Sequence, residues 1–489
     1  MTRNPADPID VRGRAVTVMG LGLFGGGVGA ARFCARAGAR VTVTDLRGVD
    51  ELAPSLAALA DCDVTLRLGG HDEADFTAVD LVVASPAVPD TSPYLAAARA
   101  AGVPVETEIT LFLSRCPSRS VVAVTGSNGK TTTTAMVGAI LARTDRPVHV
   151  GGNIGVSLLE TLDRMGPDDH VVLELSSFQL EYVGRNRHRI PVAALLNLTP
   201  NHLDRHGTMD AYGRAKMGLF AGQEAVDTAV LNADDPWVAG RGEDLAARRV
   251  WFSLHPELEQ GFVLSREWLV NRTESGDLPF LASRDLPLRG RFNRANALAA
   301  AACARAAGAS FEAVGQGLLH FKAVPHRLEL VAEVQDVRFY NDSVSTTPES
   351  AQAALGAFDE PRVIIAGGYD KGLPLEDLAR DVAAARAETI LMGPVGDRLG
   401  ELLAEAGWGD HVDRAADMAD AVKRAFARSS PGGVVLLSPG AASFDMFRNF
   451  QERGEAFRAA VRALGGGARG EGRGARDGES TAESDSVWD

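Results

Sequence analysis

The sequence predicts an α/β protein with mostly parallel sheets divided among about three domains. Three observations carry this expectation. Short β-branched runs recur, and each is followed by a turn and a longer Ala- and Leu-rich helical pattern. The runs are continuously apolar, as strands are when helices cover both faces of a sheet. At 489 residues the chain also exceeds what one core commonly holds.

The runs fall into three groups. AVTVMG, RVTVTD and DLVVAS come first; SVVAVTG, HVVLELSS, AALLNLT and TAVLNADD follow; RFYNDS, RVIIAGG, ETILMG and GVVLLSPG come last. Between residues 253 and 288 the pattern shortens into brief strands and loops, and residues 295–309 read as a small-residue helix. The polar, Gly-rich end reads as a disordered tail over 466–489. In parallel sheets ligands bind beyond the C-terminal ends of strands, so the residues of interest should follow the runs.

A charged share of 23% and an apolar share of 45% fit a globular protein in water. The net charge of −14 argues against a broad nucleic-acid or anionic-membrane surface, which needs excess Lys and Arg. Cys34, Cys62, Cys116 and Cys303 are scattered without C-x-x-C spacing, so neither a zinc site nor a disulfide framework is expected. No apolar segment reaches membrane-spanning length and the start carries no signal core, which predicts a cytoplasmic protein.

Three motifs carry chemistry. In VVAVTGSNGKTTTTAMVGAI a strand ends at Gly126, and Gly129-Lys130-Thr131 opens a helix. Backbone N–H groups and a helix N-terminus there face an anion; Lys130 can neutralise β/γ-phosphates, and Thr131 can ligate Mg²⁺. The pattern G-x-x-x-x-G-K-[ST] lacks its first glycine, since that position is Val124. The second motif is Gly20-Leu21-Gly22-Leu23-Phe24-Gly25 with Asp45 ending the next strand, a dinucleotide fingerprint. Alone it suits a nicotinamide-dependent dehydrogenase or any pyrophosphate-bearing ligand; beside an ATP loop it points toward a ligase. The third is ELSSFQLE with LNLTPNHLDRHGTMDAYGRAK, which places Glu174, Ser176, Ser177 and Gln179 near Asn197, His202, Asp204 and Lys216. Glu174 and Thr131 would make a sensible Mg²⁺ pair, because Mg²⁺ takes few protein oxygens beside substrate phosphates.

TGSNGKTTT, GGNIG, ELSSFQLE, HLDRHG, AYGRAK, GRFNRANALAA, PHRLE, NDS, GGYDKG and LLSPGAASFDMFRNFQERGEAF occur in this order. The chain thereby resembles the Mur ligase family over nearly its whole length except the tail. The resemblance implies a Rossmann-like UDP-sugar-binding domain over 1–108, a central P-loop ATP-binding domain with a parallel sheet over 109–323 and a Rossmann-like amino-acid-binding domain over 324–465. It implies an ATP- and Mg²⁺-dependent, ADP-forming ligase; the expected state is a monomer with no nucleic-acid partner and no membrane insertion. The implied reaction adds D-glutamate to UDP-N-acetylmuramoyl-L-alanine through an acyl phosphate, in peptidoglycan precursor biosynthesis.

By motif match, Lys130, Glu174, His202, Lys216 and Arg327 would be catalytic. Gly126, Ser127, Asn128, Gly129, Lys130, Thr131, Thr132, Asn293, Asn296, Arg327 and Asp342 would bind ATP, with His326 on the ribose and phosphate side. Gly22, Leu23, Phe24, Gly25, Asp45, Arg47, Asn153, Ser176 and Gln179 would bind the UDP-sugar peptide. Thr346, Lys371, Ser443 and Phe450 would hold the amino acid. The metal ligands would be Thr131, Glu174, His202 and Lys216, the lysine as its carbamate. Two positions depart from the family pattern: Val344 stands where a lysine is common, and Ala87 where glycine is. The first leaves an L-glutamate-adding ligase open. A folylpolyglutamate synthetase-like enzyme would not need the Gly20 fingerprint, a dehydrogenase would leave TGSNGKTTT idle, and a non-catalytic scaffold would have little use for Glu174, His202 and Lys216 together.

Overall fold

The computed structural model of the chain describes residues 8–23, 25–155 and 157–466. Phe24 and the expected tail beyond residue 466 lie outside the described residues. Two compact units result. The first takes the chain up to residue 285 together with 295–320, and the second takes 286–294 and the chain from 321 onward.

The first unit holds two sheets. One contains β1 (Ala15–Met19), β2 (Arg40–Asp45), β3 (Val64–Leu68), β4 (Leu81–Ala84) and β5 (Val105–Glu106), in the order β3-β2-β1-β4-β5. All its pairings are parallel, and the order reverses at β1, which places the Gly20–Gly25 loop at the topological switch point. The other contains β6 (Ser120–Thr125), β7 (Val148–Gly152), β8 (His170–Glu174), β9 (Val192–Leu195), β10 (Thr228–Asn232), β11 (Arg248–Ser253), β12 (Gly261–Ser265), β13 (Trp268–Thr273) and β14 (Gly276–Ala282). Its order is β14-β13-β12-β11-β10-β9-β6-β8-β7. β6 is central and parallel to both β8 and β9. The irregular region after residue 253 is thus an extension of this sheet, with β12, β13 and β14 pairing antiparallel. On β14, Pro279 lies within the strand, and helix Phe311–Leu319 packs so close that a Cβ on Gly315 would stand 2.7 Å from the Phe280 carbonyl oxygen. The rings of Phe280 and Phe311 stack at 6.3 Å.

β4, β8 and β9 are buried at every position, which is why their sequences are uninterrupted apolar runs apart from His170 and Glu174. One continuous apolar core runs from Val16 and Val83 of the first sheet through Leu111 and Leu158 to Val121, Leu173 and Leu195 of the second. At this junction Ser157 donates to Glu108 Oε1 at 2.5 Å, and burial pushes the Glu108 carboxyl up to about 7 from 4.5. The folded state therefore holds this proton more tightly than the unfolded chain. Wild-type stability should fall as pH rises from 4.5 through about 7 and then level off. Glu108→Gln should remove that slope, gaining on the order of 3 kcal/mol on the wild type across the window. Urea melts of both proteins below and above the window check this; parallel curves would exclude Glu108 as the source.

The second unit carries β15 (Glu329–Val334), β16 (Val337–Asn341), β17 (Arg362–Gly367), β18 (Glu388–Met392), β19 (Val412–Arg414) and β20 (Val434–Leu437), ordered β15-β16-β20-β17-β18-β19. Only the β15–β16 pairing is antiparallel. Alternate residues of β17 feed separate cores: Ile365 packs with Met418, Val422 and Phe457, and Ile364 with Leu378, Leu399 and Leu403. Helices thus cover both faces, as a parallel sheet requires. The last helix, Phe450–Gly466, ends one residue beyond the expected boundary at 465. Among the described residues no helix is long and apolar enough to cross a membrane.

Candidate active site

The loop between β6 and helix Lys130–Leu141 turns on two glycines. Gly129 caps the helix at φ +83°, and a Cβ there would stand 2.3 Å from Asn296 Oδ1. A Cβ on Gly126 would come 2.9 Å from Leu196 Cβ. The absent first glycine is explained by register. Val124 is still inside β6, fully buried and paired with Glu174 and Ala194, where a β-branched residue suits the strand. The loop is braced from residues 197–199. The Asn128 N–H donates to Asn197 Oδ1 at 2.8 Å, Asn197 Nδ2 donates to the Asn128 carbonyl at 3.1 Å, and the Ser127 hydroxyl donates to the Thr199 carbonyl at 3.0 Å. Lys130 curls over the loop, its Nζ donating to the carbonyls of Gly126 at 3.0 Å and Ser127 at 2.9 Å. Thr132 is buried in the first turn of the helix that Lys130 and Thr131 open.

Glu174 ends β8 and is 2% exposed. Its Oε1 accepts from Asn153 Nδ2 at 2.9 Å, while Oε2 is buried without a hydrogen-bond partner among the described residues. The Asn153 N–H donates to the Glu174 carbonyl at 2.8 Å. Gly152, at φ +100°, must be glycine, since a Cβ would stand 2.3 Å from that same carbonyl oxygen. Lys216, on helix Met209–Met217, is 1% exposed; its Nζ donates to the Gly126 carbonyl at 2.8 Å and lies 4.6 Å from the Tyr212 ring. Burial, and then the neighbouring Lys130 charge, push the Lys216 pKa well below the usual lysine value, against the pull of Glu174. His202 adopts a left-handed φ of +52°, and its ring is edge-on to Phe178 at 5.1 Å. Burial first, then Lys130 and Lys216, hold its pKa below the ordinary value and favour the neutral imidazole.

The fold brings Lys130, Glu174, His202 and Lys216 together at the phosphate loop, where the Lys130 charge suits phosphate oxygens. Among the described residues no three or more of His, Cys, Asp or Glu form a metal-binding group. Any Mg²⁺ here would lean on substrate oxygens, as that ion does, and the unpartnered Glu174 Oε2 is an oxygen that fits it. Tyr212, not singled out in the sequence, belongs to the cluster too, with its hydroxyl 3.3 Å from Ser127 Oγ. Its place in AYGRAK, one helical turn before Lys216, was the available signal.

Other expected residues have defined structural work. Gly20, Gly22 and Gly25 all take positive φ. Asp45 is 5% exposed: Oδ2 accepts the Gly22 N–H at 3.1 Å and Oδ1 the Arg47 N–H at 2.9 Å, so this carboxylate braces the glycine loop itself. Leu23 is half exposed at the loop's tip. Ser176 and Gln179 form a capping box on helix Ser177–Arg185: the Ser176 N–H donates to Gln179 Oε1 at 2.9 Å, and the Gln179 N–H to Ser176 Oγ at 3.3 Å.

The second unit holds Asn293, His326, Arg327, Asp342 and the residues expected for the amino acid. Asn293 Nδ2 donates to the Arg289 carbonyl at 2.7 Å. His326, at φ +63°, is wedged against Gly454, where a Cβ would stand 2.1 Å from its Nδ1, and Asn341 Nδ2 lies 3.0 Å from that nitrogen. Asp342 accepts the Leu328 N–H at 3.1 Å and the Ser438 hydroxyl at 3.0 Å; burial pushes its pKa up to about 6, with Arg327 pulling the other way. Thr346 and Lys371 line one depression with Tyr369, Leu375 and Gly440. Ser443 is buried, and the Phe450 ring faces His326 at 6.1 Å. Sequence reasoning missed Arg453, which is 3% exposed and ties two loops together, donating to the Ser343 carbonyl at 2.8 Å and the Ala441 carbonyl at 3.0 Å. An arginine inside the helical run FQERGEAF was its only signal.

Sheets of this order and a phosphate loop capped by Gly129 define a P-loop α/β protein with a fingerprint-bearing parallel sheet before it. Residues 14–107 match the Mur ligase MurD-like N-terminal domain, 124–304 the Mur ligase middle domain and 326–441 the Mur ligase glutamate ligase domain. The UDP-N-acetylmuramoylalanine--D-glutamate ligase of Roseiflexus sp. (strain RS-1) is 42% identical over 472 residues, covering 93% of this chain and 100% of that one. The protein of the same name from Anaeromyxobacter dehalogenans (strain 2CP-C) is 46% identical over 461 residues, covering 92% and 97%. The chain belongs to the Mur ligase family. In fold it is similar to MurF from Acinetobacter baumannii, with a TM-score of 0.61 at 19% identity over 91% of this chain and 93% of that one. It is likewise similar to the MurF ligase of Thermotoga maritima in complex with ADP, with a TM-score of 0.57 at 17% identity over 96% and 100%.

Proposed function

We propose that the chain is an ATP-dependent ligase that joins D-glutamate to UDP-N-acetylmuramoyl-L-alanine, a cytoplasmic step in building peptidoglycan precursors. The observation that carries this reading is the cluster of Lys130, Lys216, His202 and Glu174 around a phosphate loop, in a chain whose full-length relatives at 42% and 46% identity bear that activity in their names. In this reaction a carboxylate oxygen of the alanyl group bonds to the γ-phosphorus as the β–γ bridge breaks and ADP leaves. The neutral glutamate amine then bonds to the acyl carbon and gives up one proton, keeping the other as the amide N–H, and the tetrahedral adduct expels phosphate. The charge that develops on the transferring phosphoryl group calls for fixed cations.

Each residue then has a task. The N–H groups of Gly126 to Thr132 cradle the phosphates, and Lys130 exchanges its two loop carbonyls for phosphate oxygens. Asn293 and Asn296 take the adenine, while His326, Arg327 and Asp342 serve the ribose and phosphates. Gly22, Leu23, Gly25, Asp45 and Arg47 receive the UDP moiety; Asn153, Ser176 and Gln179 receive the muramoyl-alanine. Thr346, Lys371, Ser443 and Phe450 hold the glutamate. Thr131, Glu174, His202 and the Lys216 carbamate would hold Mg²⁺, which when bound neutralises phosphate charge as a Lewis acid. The carbamate forms when the neutral Lys216 amine bonds to the carbon of CO₂ and releases a proton; burial and Lys130, which disfavour the ammonium, support this.

Val344 at a position commonly occupied by lysine supports a second reading, addition of L-glutamate. ATP-dependent phosphate release with UDP-N-acetylmuramoyl-L-alanine, given D- or L-glutamate separately, decides between them. Release with D-glutamate alone is expected, and release with L-glutamate alone would transfer the assignment to the second reading. Intact-peptide mass at Lys216 should show the CO₂ adduct; a free amine under active conditions would remove the carbamate.

A further inference from the structure

His202 opens the short helix Leu203–His206, and Arg205 in that helix reaches back to a loop of the first sheet. Its Nη1 donates to the Ala87 carbonyl at 3.1 Å and its Nη2 to the Val88 carbonyl at 3.1 Å. The same Nη2 donates to Glu181 Oε2 at 3.3 Å, and the guanidinium lies 5.0 Å from the Phe178 ring. Glu181 Oε1 stands 3.5 Å from His206 Nδ1, and His206 Nε2 is 3.0 Å from the Ser177 hydroxyl. The Arg205 side chain is only 14% exposed. A rigid planar fork spread over two adjacent carbonyls fixes direction as well as distance, which a flexible ammonium cannot do.

The loop it grips leads straight to the glycine fingerprint. The Ser85 N–H donates to the Met19 carbonyl at 2.8 Å, and a Cβ on Gly20 would stand 2.9 Å from Ser85 Cβ and 3.8 Å from Val88 Cγ2. Residues 85–88 are therefore the backing on which Gly20 rests. At the other end, the Phe178 ring that carries the Arg205 guanidinium also meets the His202 ring at 5.1 Å. Contacts run from Met19 through Ser85 and Val88 to Arg205, and from Arg205 across the Phe178 ring to His202, whose charge state feels Lys130 and Lys216.

We infer that Arg205, held by Glu181, is a positioning residue that keeps the loop backing the UDP-sugar fingerprint in register with His202 and the phosphate loop. This rests on the proposed ligase reading, in which a carboxylate carried by the UDP-sugar must meet the γ-phosphate. Reacting atoms must approach within about 3–3.5 Å in line, and a misplacement of about 1 Å costs on the order of 10²-fold.

The test is steady-state kinetics of the full-length wild type, Arg205→Ala, Arg205→Lys and Glu181→Gln, with melting temperatures measured alongside. Arg205→Ala should lower kcat/KM for UDP-N-acetylmuramoyl-L-alanine by on the order of 10²-fold while changing KM for ATP about twofold or less. Arg205→Lys should recover part of the loss, because an ammonium can satisfy one carbonyl of the two. Glu181→Gln should show the same pattern in weaker form. An unchanged kcat/KM for the UDP-sugar substrate in Arg205→Ala would overturn the inference. So would a loss spread equally over ATP and the UDP-sugar, which marks a general structural role. A wild type that releases no phosphate at all would instead defeat the ligase reading beneath it.

Discussion

Lys130→Ala should abolish most ATP-dependent phosphate release, lowering kcat/KM by on the order of 10³-fold, as removal of a single charge-stabilising donor does in other enzymes. Stability should hardly change. The Nζ contacts run to carbonyls of its own loop at 3.0 and 2.9 Å, and water can replace a donor at a half-buried surface position. Burial is the main cause of the depressed Lys216 and His202 pKa values and the Lys130 charge comes next, so the substitution should raise both while burial still holds them below their ordinary values. Phosphate-release kinetics together with a thermal melt separate these effects. Residual activity within about tenfold of the wild type would remove Lys130 from the chemistry.

Gly152→Ala should be among the most damaging single methyls in the first unit. The backbone there sits at φ +100°, and the new Cβ would meet the Glu174 carbonyl oxygen at 2.3 Å and its nitrogen at 3.1 Å. Left-handed strain costs about 1–2 kcal/mol and the forced displacement about 1–3 kcal/mol more, so a loss of roughly 2–5 kcal/mol is expected in a urea melt. Because the displaced atoms belong to the residue whose Oε2 stands unpartnered, activity should fall even at temperatures where the variant stays folded. Gly155→Ala provides the comparison: its φ is also positive, but among the described residues no atom beyond its chain neighbours lies within 4 Å of the added Cβ, so it should show the strain without the loss of activity.

Legibility in the sequence followed burial. β4, β6, β8, β9, β17 and β20 are shielded on both faces, and each was readable as an apolar run ending in polar residues. β3 was not, because Thr65, Leu66 and Arg67 are all exposed and the strand lacks an apolar run. β7 ends in two glycines, and β15 lies at a sheet edge with mixed exposure, so neither carries a strand's usual composition. The phosphate loop was legible because its glycines answer to steric demands that any such loop makes. Asp45 shows the limit: the fingerprint spacing marked it as a ligand-side residue, but not that the Gly22 and Arg47 N–H groups would occupy its two oxygens. Ser176 and Gln179 carry the S-x-x-Q spacing of a capping box, a local role that a family-level reading passes over. Arg205 was invisible for another reason, since its partners Ala87 and Val88 contribute only carbonyls, and a carbonyl has no letter in the sequence.

The nine-stranded sheet carries a hazard that its construction removes. A sheet that ends in an unpaired strand offers a ladder of open donors and acceptors to any other chain, and wide sheets are exposed to end-to-end stacking in a crowded cell. At the β14 border, Pro279 deletes one rung, because it has no N–H to offer. Helix Phe311–Leu319 takes up the Phe280 position, with Gly315 allowing its backbone to press against that carbonyl and Phe311 covering the ring. The helix thus acts as a bumper. Enlarging Gly315 should lift it away and leave an adhesive margin, so the cost of that change would be met in solubility during synthesis before it was met in turnover.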